Sequence, residues 1–291
     1  MTDPDTGPPT ATDPPVDRRD RARGSLLGLA CGDALGRPVA GDTAAAVRDR
    51  YGRVTEMLGA DGRRAGTTTD PTAAAVASAG RLLDRADHAS STSPSDPAPT
   101  TGAVSPLAAV PYGLLAGDAG DRAGAVAEDA AAAGTAVGTG AAEPSAALAM
   151  IVGELVDGES VEDAVSTAMT VAVSRGAPVA LRETLSVVGD RGAVSIDPGG
   201  GRSAAFETAL HEAVAASDAE AAIVSAVSRG GNASALGAVA GAVAGARFGA
   251  DAVPARWLNE LDAPGDHTAL ADALAGIDLR DSVDTVTDSD G

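Results

Sequence analysis

The chain of 291 residues contains no lysine and no glutamine, and aromatic residues make up 2% of it. All 21 basic residues are therefore arginine, set against 41 Asp and Glu for a formal net charge of -20. So acidic a surface repels phosphate backbones and anionic lipid, which sets aside nucleic acid and membrane surfaces as partners. Acidity without lysine points instead to a salt-rich, halophilic cytosol, where dense ions screen the self-repulsion. The shortage of large rings has a structural consequence. Ala, Val and Leu must build the core, and small side chains bury little area each, so elements must approach closely to exclude water.

Cys31 stands alone, which excludes an internal disulfide and fits a reducing compartment. No N-terminal segment has the basic-then-apolar order of a signal peptide. The longest apolar stretch, residues 233–246, is short for a membrane span. A cytoplasmic protein is expected.

What is present is helical pattern. Residues 1–17 are Asp, Thr and Pro with little to bury and read as a disordered tail, as do residues 281–291. Between them a single all-α domain is expected over residues 18–280. Its helices are predicted over residues 18–35, 72–85, 105–116, 122–137, 144–157, 160–174, 179–188, 204–215, 218–228, 232–248 and 254–261. Ser160 with Asp163 resembles an N-cap pair, and Pro144 and Pro178 sit where first-turn prolines are tolerated. Residues 88–101 and 189–201 read as loops. No run of alternating β-branched residues suggests a strand. One helix carries Gly237, Gly241, Gly245 and Gly249 at every fourth position. Glycine inside a helix costs roughly 1 kcal/mol against Ala, so the stripe implies close helix contact at a bundle centre.

Three stretches carry a resemblance. The first is Gly24-Ser-Leu-Leu-Gly-Leu-Ala-Cys-Gly-Asp-Ala-Leu-Gly-Arg-Pro-Val39. The second is Gly66-Thr-Thr-Thr-Asp-Pro-Thr72 before an Ala-rich helix. The third is Gly230-Gly-Asn-Ala-Ser-Ala235, followed by a Gly/Ala helix, Pro254 and Trp257. In this order and spacing they resemble the ADP-ribosylglycohydrolase family. The resemblance implies a compact orthogonal multi-helix bundle, a dinuclear magnesium centre and hydrolysis that removes ADP-ribose from modified targets. It also places candidate metal ligands at Thr69, Asp70, Asn232 and Ser234, and substrate contacts at Asp33, Gly102 and Gly231.

The departures matter as much. Where the family has Thr-Asp-Asp, this chain has Thr69, Asp70 and Pro71; where it has Asp-x-Asp-Thr, the chain has Asn232, Ser234 and Ala235; and the acidic residue expected after Val39 is Ala40. A segment of the substrate face resembles Thr101-Gly-Ala-Val-Ser-Pro106, and a Thr-His pair is replaced by Gly140 and Ala141 before Pro144. Magnesium is hard and is held through carboxylates, substrate oxygens and retained waters. Two such ions need anionic ligands to offset their repulsion, and glycoside cleavage needs a general base or an activated water. No catalytic residue is identified. The leading expectation is an impaired or inactive member, a pseudoenzyme, that keeps a cleft for an ADP-ribose-like ligand or an ADP-ribosylated protein. The alternatives are a working magnesium-dependent hydrolase with a rebuilt site, and a structural or partner-binding member like the family's crystallin branch.

Simpler roles compete at several positions. Asp70 before Pro71, and Asn232 after two glycines, are natural N-caps. Asp33 suits tying down a turn. His88, His211 and His267 read as surface residues without metal-ligand spacing, and Cys31 as a buried thiol. Residues 199–202 read as a surface loop ahead of a phosphate cradle.

Overall fold

The computed structural model describes residues 16–89, 106–132, 142–177, 179–189 and 202–279. Among these the chain forms α1 (Arg18–Gly36), α2 (Ala44–Tyr51), α3 (Asp70–Ala89), α4 (Val110–Leu114), α5 (Ala119–Ala132), α6 (Ala142–Val156) and α7 (Val161–Ser174). Then come α8 (Val179–Gly189), α9 (Arg202–Ala215), α10 (Ala219–Val227), α11 (Ala233–Phe248), α12 (Ala255–Glu260) and α13 (Pro264–Leu274). Short 3-10 turns occupy Arg37–Val39, Pro106–Ala109 and Ala250–Ala252. Among the described residues there is no strand, only isolated bridges such as Thr43 with Gly230. The fold is all-α. Both expected tails, apart from Val16 and Asp17, and residues 199–201 of the glycine-rich loop lie outside the described residues.

Two helices form the axis. In α1 every residue from Gly24 to Gly36 is buried, and α11 is buried over most of its length. Neither is amphipathic, because each is wrapped on all sides. They run antiparallel, with Gly24, Gly28, Gly32 and Gly36 of α1 facing Gly245, Gly241, Gly237 and Ala233 of α11. A methyl group on any of these glycines would lie closer than 3.0 Å to the partner's backbone. The glycine stripe of α11 thus marks a bundle centre, as expected, and its partner is a second stripe on α1.

Around this axis, α6, α9 and α10 pack on α11, while α3 and α13 pack on α1. Trp257 is fully buried in the apolar cluster that also holds Met57 and Leu35, and its indole N–H donates to the Thr55 carbonyl at 2.8 Å. Arg122 of α5 is also fully buried; its guanidinium reaches the Leu115 carbonyl at 3.2 Å, Glu154 at 3.3 Å and Asp157 at 2.5 Å. Asp157 also accepts from Arg18 at 2.8 Å, so one carboxylate joins α1 to the α5–α6 pair.

Two helices were not anticipated. The short α2 buries only Val47, so it has no apolar period to read. α13 begins after Ala263, held at φ 50, with Pro264 opening the helix. The expected helix over residues 105–116 divides into a 3-10 turn and the brief α4. Ser160 does cap α7, accepting from the Asp163 N–H at 3.1 Å.

His267 is a correction. Instead of lying at the surface it is 8% exposed, inside the α13 face that also buries Ala271 and Leu274. Burial pushes its imidazole below the ordinary histidine range, with neighbouring Asp266 opposing. The unfolded chain therefore binds the proton more readily than the native one. Stability attributable to this residue is present above about pH 6.5 and is lost as pH falls towards the lowered folded value. Melting temperatures of wild type and His267→Leu, compared from pH 8 to pH 5, should diverge in that window, the wild type losing more. Parallel curves would mean that His267 charges without cost.

Candidate functional site

The ends of three helices meet at one place, and the local sequence explains how each arrives. α1 closes at Gly36 and passes into the 3-10 turn, where Arg37 is buried. Its guanidinium donates to the carbonyls of Ala60 at 2.6 Å, Arg64 at 2.7 Å, Thr67 at 3.1 Å and Leu58 at 3.4 Å. One side chain thereby gathers the connection from α2 to α3. Gly66, at φ 78, lies against the Glu260 backbone where no Cβ fits, and its carbonyl accepts from the Asp262 N–H at 3.1 Å. The segment is pinned at both edges before it delivers Thr69.

Asp33 is the hub. It is fully buried in α1. One carboxylate oxygen accepts from the Thr69 N–H at 2.7 Å, the Thr72 N–H at 3.2 Å and the Thr72 hydroxyl at 2.6 Å. The other accepts from the Thr69 hydroxyl at 2.5 Å. Asp33 therefore caps α3 from another helix, satisfying N–H groups that have no intrahelical partner. Its own carbonyl accepts from the Ser234 hydroxyl at 3.2 Å, which fastens the first turn of α11 to the same point.

The expected cap on α3 shifts by one residue. Thr69 occupies the cap position, its carbonyl accepting from the Ala73 N–H at 3.1 Å, and Asp70 is the first helical residue. Asp70 is exposed, where a carboxylate favourably meets the helix dipole. Asn232 does sit at the cap position of α11, yet its exposed side chain makes no capping bond. Gly230 and Gly231 both hold positive φ, at 67 and 60, and Gly231 exchanges backbone hydrogen bonds with Gly41 and Asp42 at 2.7 Å each. This draws Ala40 towards the start of α11.

Of the residues singled out in the sequence, Thr69 and Ser234 each contact Asp33 directly, and Asp70, Gly231 and Asn232 lie one to three residues from them in the chain. Gly102 lies outside the described residues. The expectation that Asp33 ties down a turn named no partner, and the one it holds, Thr69, lies 36 residues on; Arg37 meets carbonyls, which any sequence supplies, so its role had no local signal. Cys31 is fully buried, and burial pushes its thiol up to about 12, so it offers no thiolate near neutral pH.

Residues 14–99 and 77–283 match the ADP-ribosylglycohydrolase family. The chain belongs to that family. A solved structure, an "ADP-ribosylglycohydrolase-related protein complex", is 28% identical, with a TM-score of 0.70 over 89% of this chain and 98% of that one. Among curated proteins none matches significantly. Among the described residues of this ADP-ribosylglycohydrolase family member, the donors that the motifs bring together do not suit two magnesium ions. The Asp33 carboxylate is occupied by threonine donors, Ala40, Pro71 and Ala235 offer no side-chain oxygen, and Asp70 is the remaining acid of the motifs. No group of three or more His, Cys, Asp or Glu among the described residues is placed to hold a metal.

Proposed function

We propose that this family member has relinquished magnesium-dependent hydrolysis while keeping the junction of helix ends as a site for an ADP-ribose-like ligand. The observation that carries the reading is the fate of the carboxylates. Asp33 spends both oxygens on Thr69 and Thr72, and Asp70 is left without a second acid from its motif. A lone carboxylate offsets little of the mutual repulsion of two divalent cations, and neutral oxygens from Thr69, Asn232 and Ser234 offset none of it. The substituted residues still serve the fold: Pro71 lies in the first turn of α3, and Ser234 holds α11 to α1.

Calorimetry in high salt, with Mg2+ or Mn2+ and with or without ADP-ribose, tests the proposal. The expected result is ADP-ribose binding that does not require metal, and no release of ADP-ribose from a modified protein. Micromolar metal affinity together with such release would overturn it in favour of a rebuilt hydrolase, and no binding of either would favour a structural role. A gain-of-metal variant sharpens the test. Ala40→Glu, Pro71→Asp, Asn232→Asp and Ser234→Asp restore four of the family's acids, and Ala235→Thr restores its threonine. Ser234→Asp places a carboxylate against the Asp33 carbonyl, so the variant should be less stable than wild type without metal. Magnesium should raise its stability by roughly 3 kcal/mol at a hundredfold excess over its Kd, with no effect on wild type.

A further inference from the structure

The charge of this protein is distributed in a way that its total conceals. Between α2 and the end of α10 lies an open cleft of about 350 Å3 whose lining includes Arg48, Arg53, Arg229, Glu212, Ser225 and Ser228. It holds three arginines and one acid, in a chain whose formal charge is -20. Because the chain contains no lysine, the choice of arginine says nothing here; the placement does.

Two of the three arginines are not used up by the protein. Arg48 makes no side-chain hydrogen bond or ion pair among the described residues. Among the described residues Arg53 reaches only the Ser225 hydroxyl, at a long 3.4 Å. Arg229 pairs with Glu212, its Nε donating at 2.9 Å. A concavity and two arginines without an acidic partner thus share one lining.

We infer that this cleft is a binding site for a small phosphorylated ligand, separate from the helix-end junction. Guanidinium forks match phosphate oxygens two at a time, and the Ser225 hydroxyl beside Arg53 supplies a further donor. The distant acidic surface does not forbid this. At about 0.15 M salt the Debye length is roughly 8 Å, and it shortens as salt rises, so the local cations decide the potential inside the cleft. The position is also set by the fold. Ala44 and Arg229 follow and precede the Thr43–Gly230 bridge, and the same backbone pairing leads on to Gly231 and Asn232. The cleft and the junction share that strap.

Titration calorimetry with inorganic phosphate and with pyrophosphate, in salt that keeps the chain folded, tests the site. Saturable binding is expected, weakened about tenfold or more by Arg48→Ala and by Arg53→Ala. Both side chains are exposed and barely bonded, so the variants should fold as wild type. Glu212→Gln should tighten binding several-fold, since it removes the acid and frees Arg229. Arg63→Ala, an exposed arginine on a different loop, should change nothing. No saturable binding at about 10 mM probe, or equal losses from Arg48→Ala and Arg63→Ala, would overturn the inference. Because inorganic phosphate carries no ribose or adenine, this result is separable from the fate of the ADP-ribose proposal.

Discussion

Gly241→Leu should prevent folding, and Gly241→Ala should lower stability by about 4 kcal/mol, although alanine is the better helix former by about 1 kcal/mol. The clash prevails because of what the new atoms meet. A Cβ on Gly241 lies closer than 3.0 Å to the carbonyl oxygen and carbon of Gly28, and one on Gly28 meets Gly241 in the same way. Backbone has no rotamer to change. The two axial helices would have to separate, and the other glycine pairs of the stripe would lose contact with them. Ordinary overpacking costs roughly 1–3 kcal/mol because side chains yield; here the obstacle is the helix itself. Against a typical total of about 5–15 kcal/mol, the alanine variant is marginal and the leucine variant is beyond rescue. Gly80 of α3 supplies the control. Nothing lies within 4 Å of its hypothetical Cβ, so Gly80→Ala should raise stability by about 0.5–1 kcal/mol. Urea midpoints at fixed salt would decide the matter. A small loss at Gly241 would mean that the axis is looser than its geometry.

The same pair of helices shows what a sequence can and cannot disclose. The stripe on α11 is legible because four glycines at fixed spacing contradict helix propensity and demand a reason. The stripe on α1 is just as regular, with Gly24, Gly28, Gly32 and Gly36, but it coincides with a family motif that already accounts for the glycines. Long apolar helices and Ser160 as a cap were readable from local chemistry. α2 was not, since a helix that buries one residue has no period. At the site, the positions that gather are those the motifs named, because order along the chain is what a family pattern preserves. The bonds among them were hidden. Thr69 and Thr72 look like ordinary first-turn residues until Asp33 is found between them, and Arg37 and Arg122 look like surface charges until their partners arrive from distant segments.

Asp33 is where fold and function can be separated by experiment. Asp33→Ala would leave two backbone N–H groups and two hydroxyls without their acceptor at a buried position. Charge-assisted bonds contribute about 1.5–3 kcal/mol each and buried orphans cost about 1–3 kcal/mol, but the hydroxyls can rotate to other acceptors. A loss of about 4–5 kcal/mol is expected, large enough to detach α3 from the junction. Asp33→Asn should behave differently. Its amide oxygen can take the place of the carboxylate oxygen that accepts three of the four bonds. Its NH2 then faces the Thr69 hydroxyl, which can turn and accept. The cost should fall to about 1–2 kcal/mol with the fold intact. Ligand binding then discriminates between roles. If Asp33 only positions α3 and α11, the asparagine variant should bind ADP-ribose as wild type does, within about a factor of two. A loss of binding tenfold or greater in a folded Asp33→Asn variant would show the carboxylate acting on the ligand itself, and would place Asp33 among the binding residues.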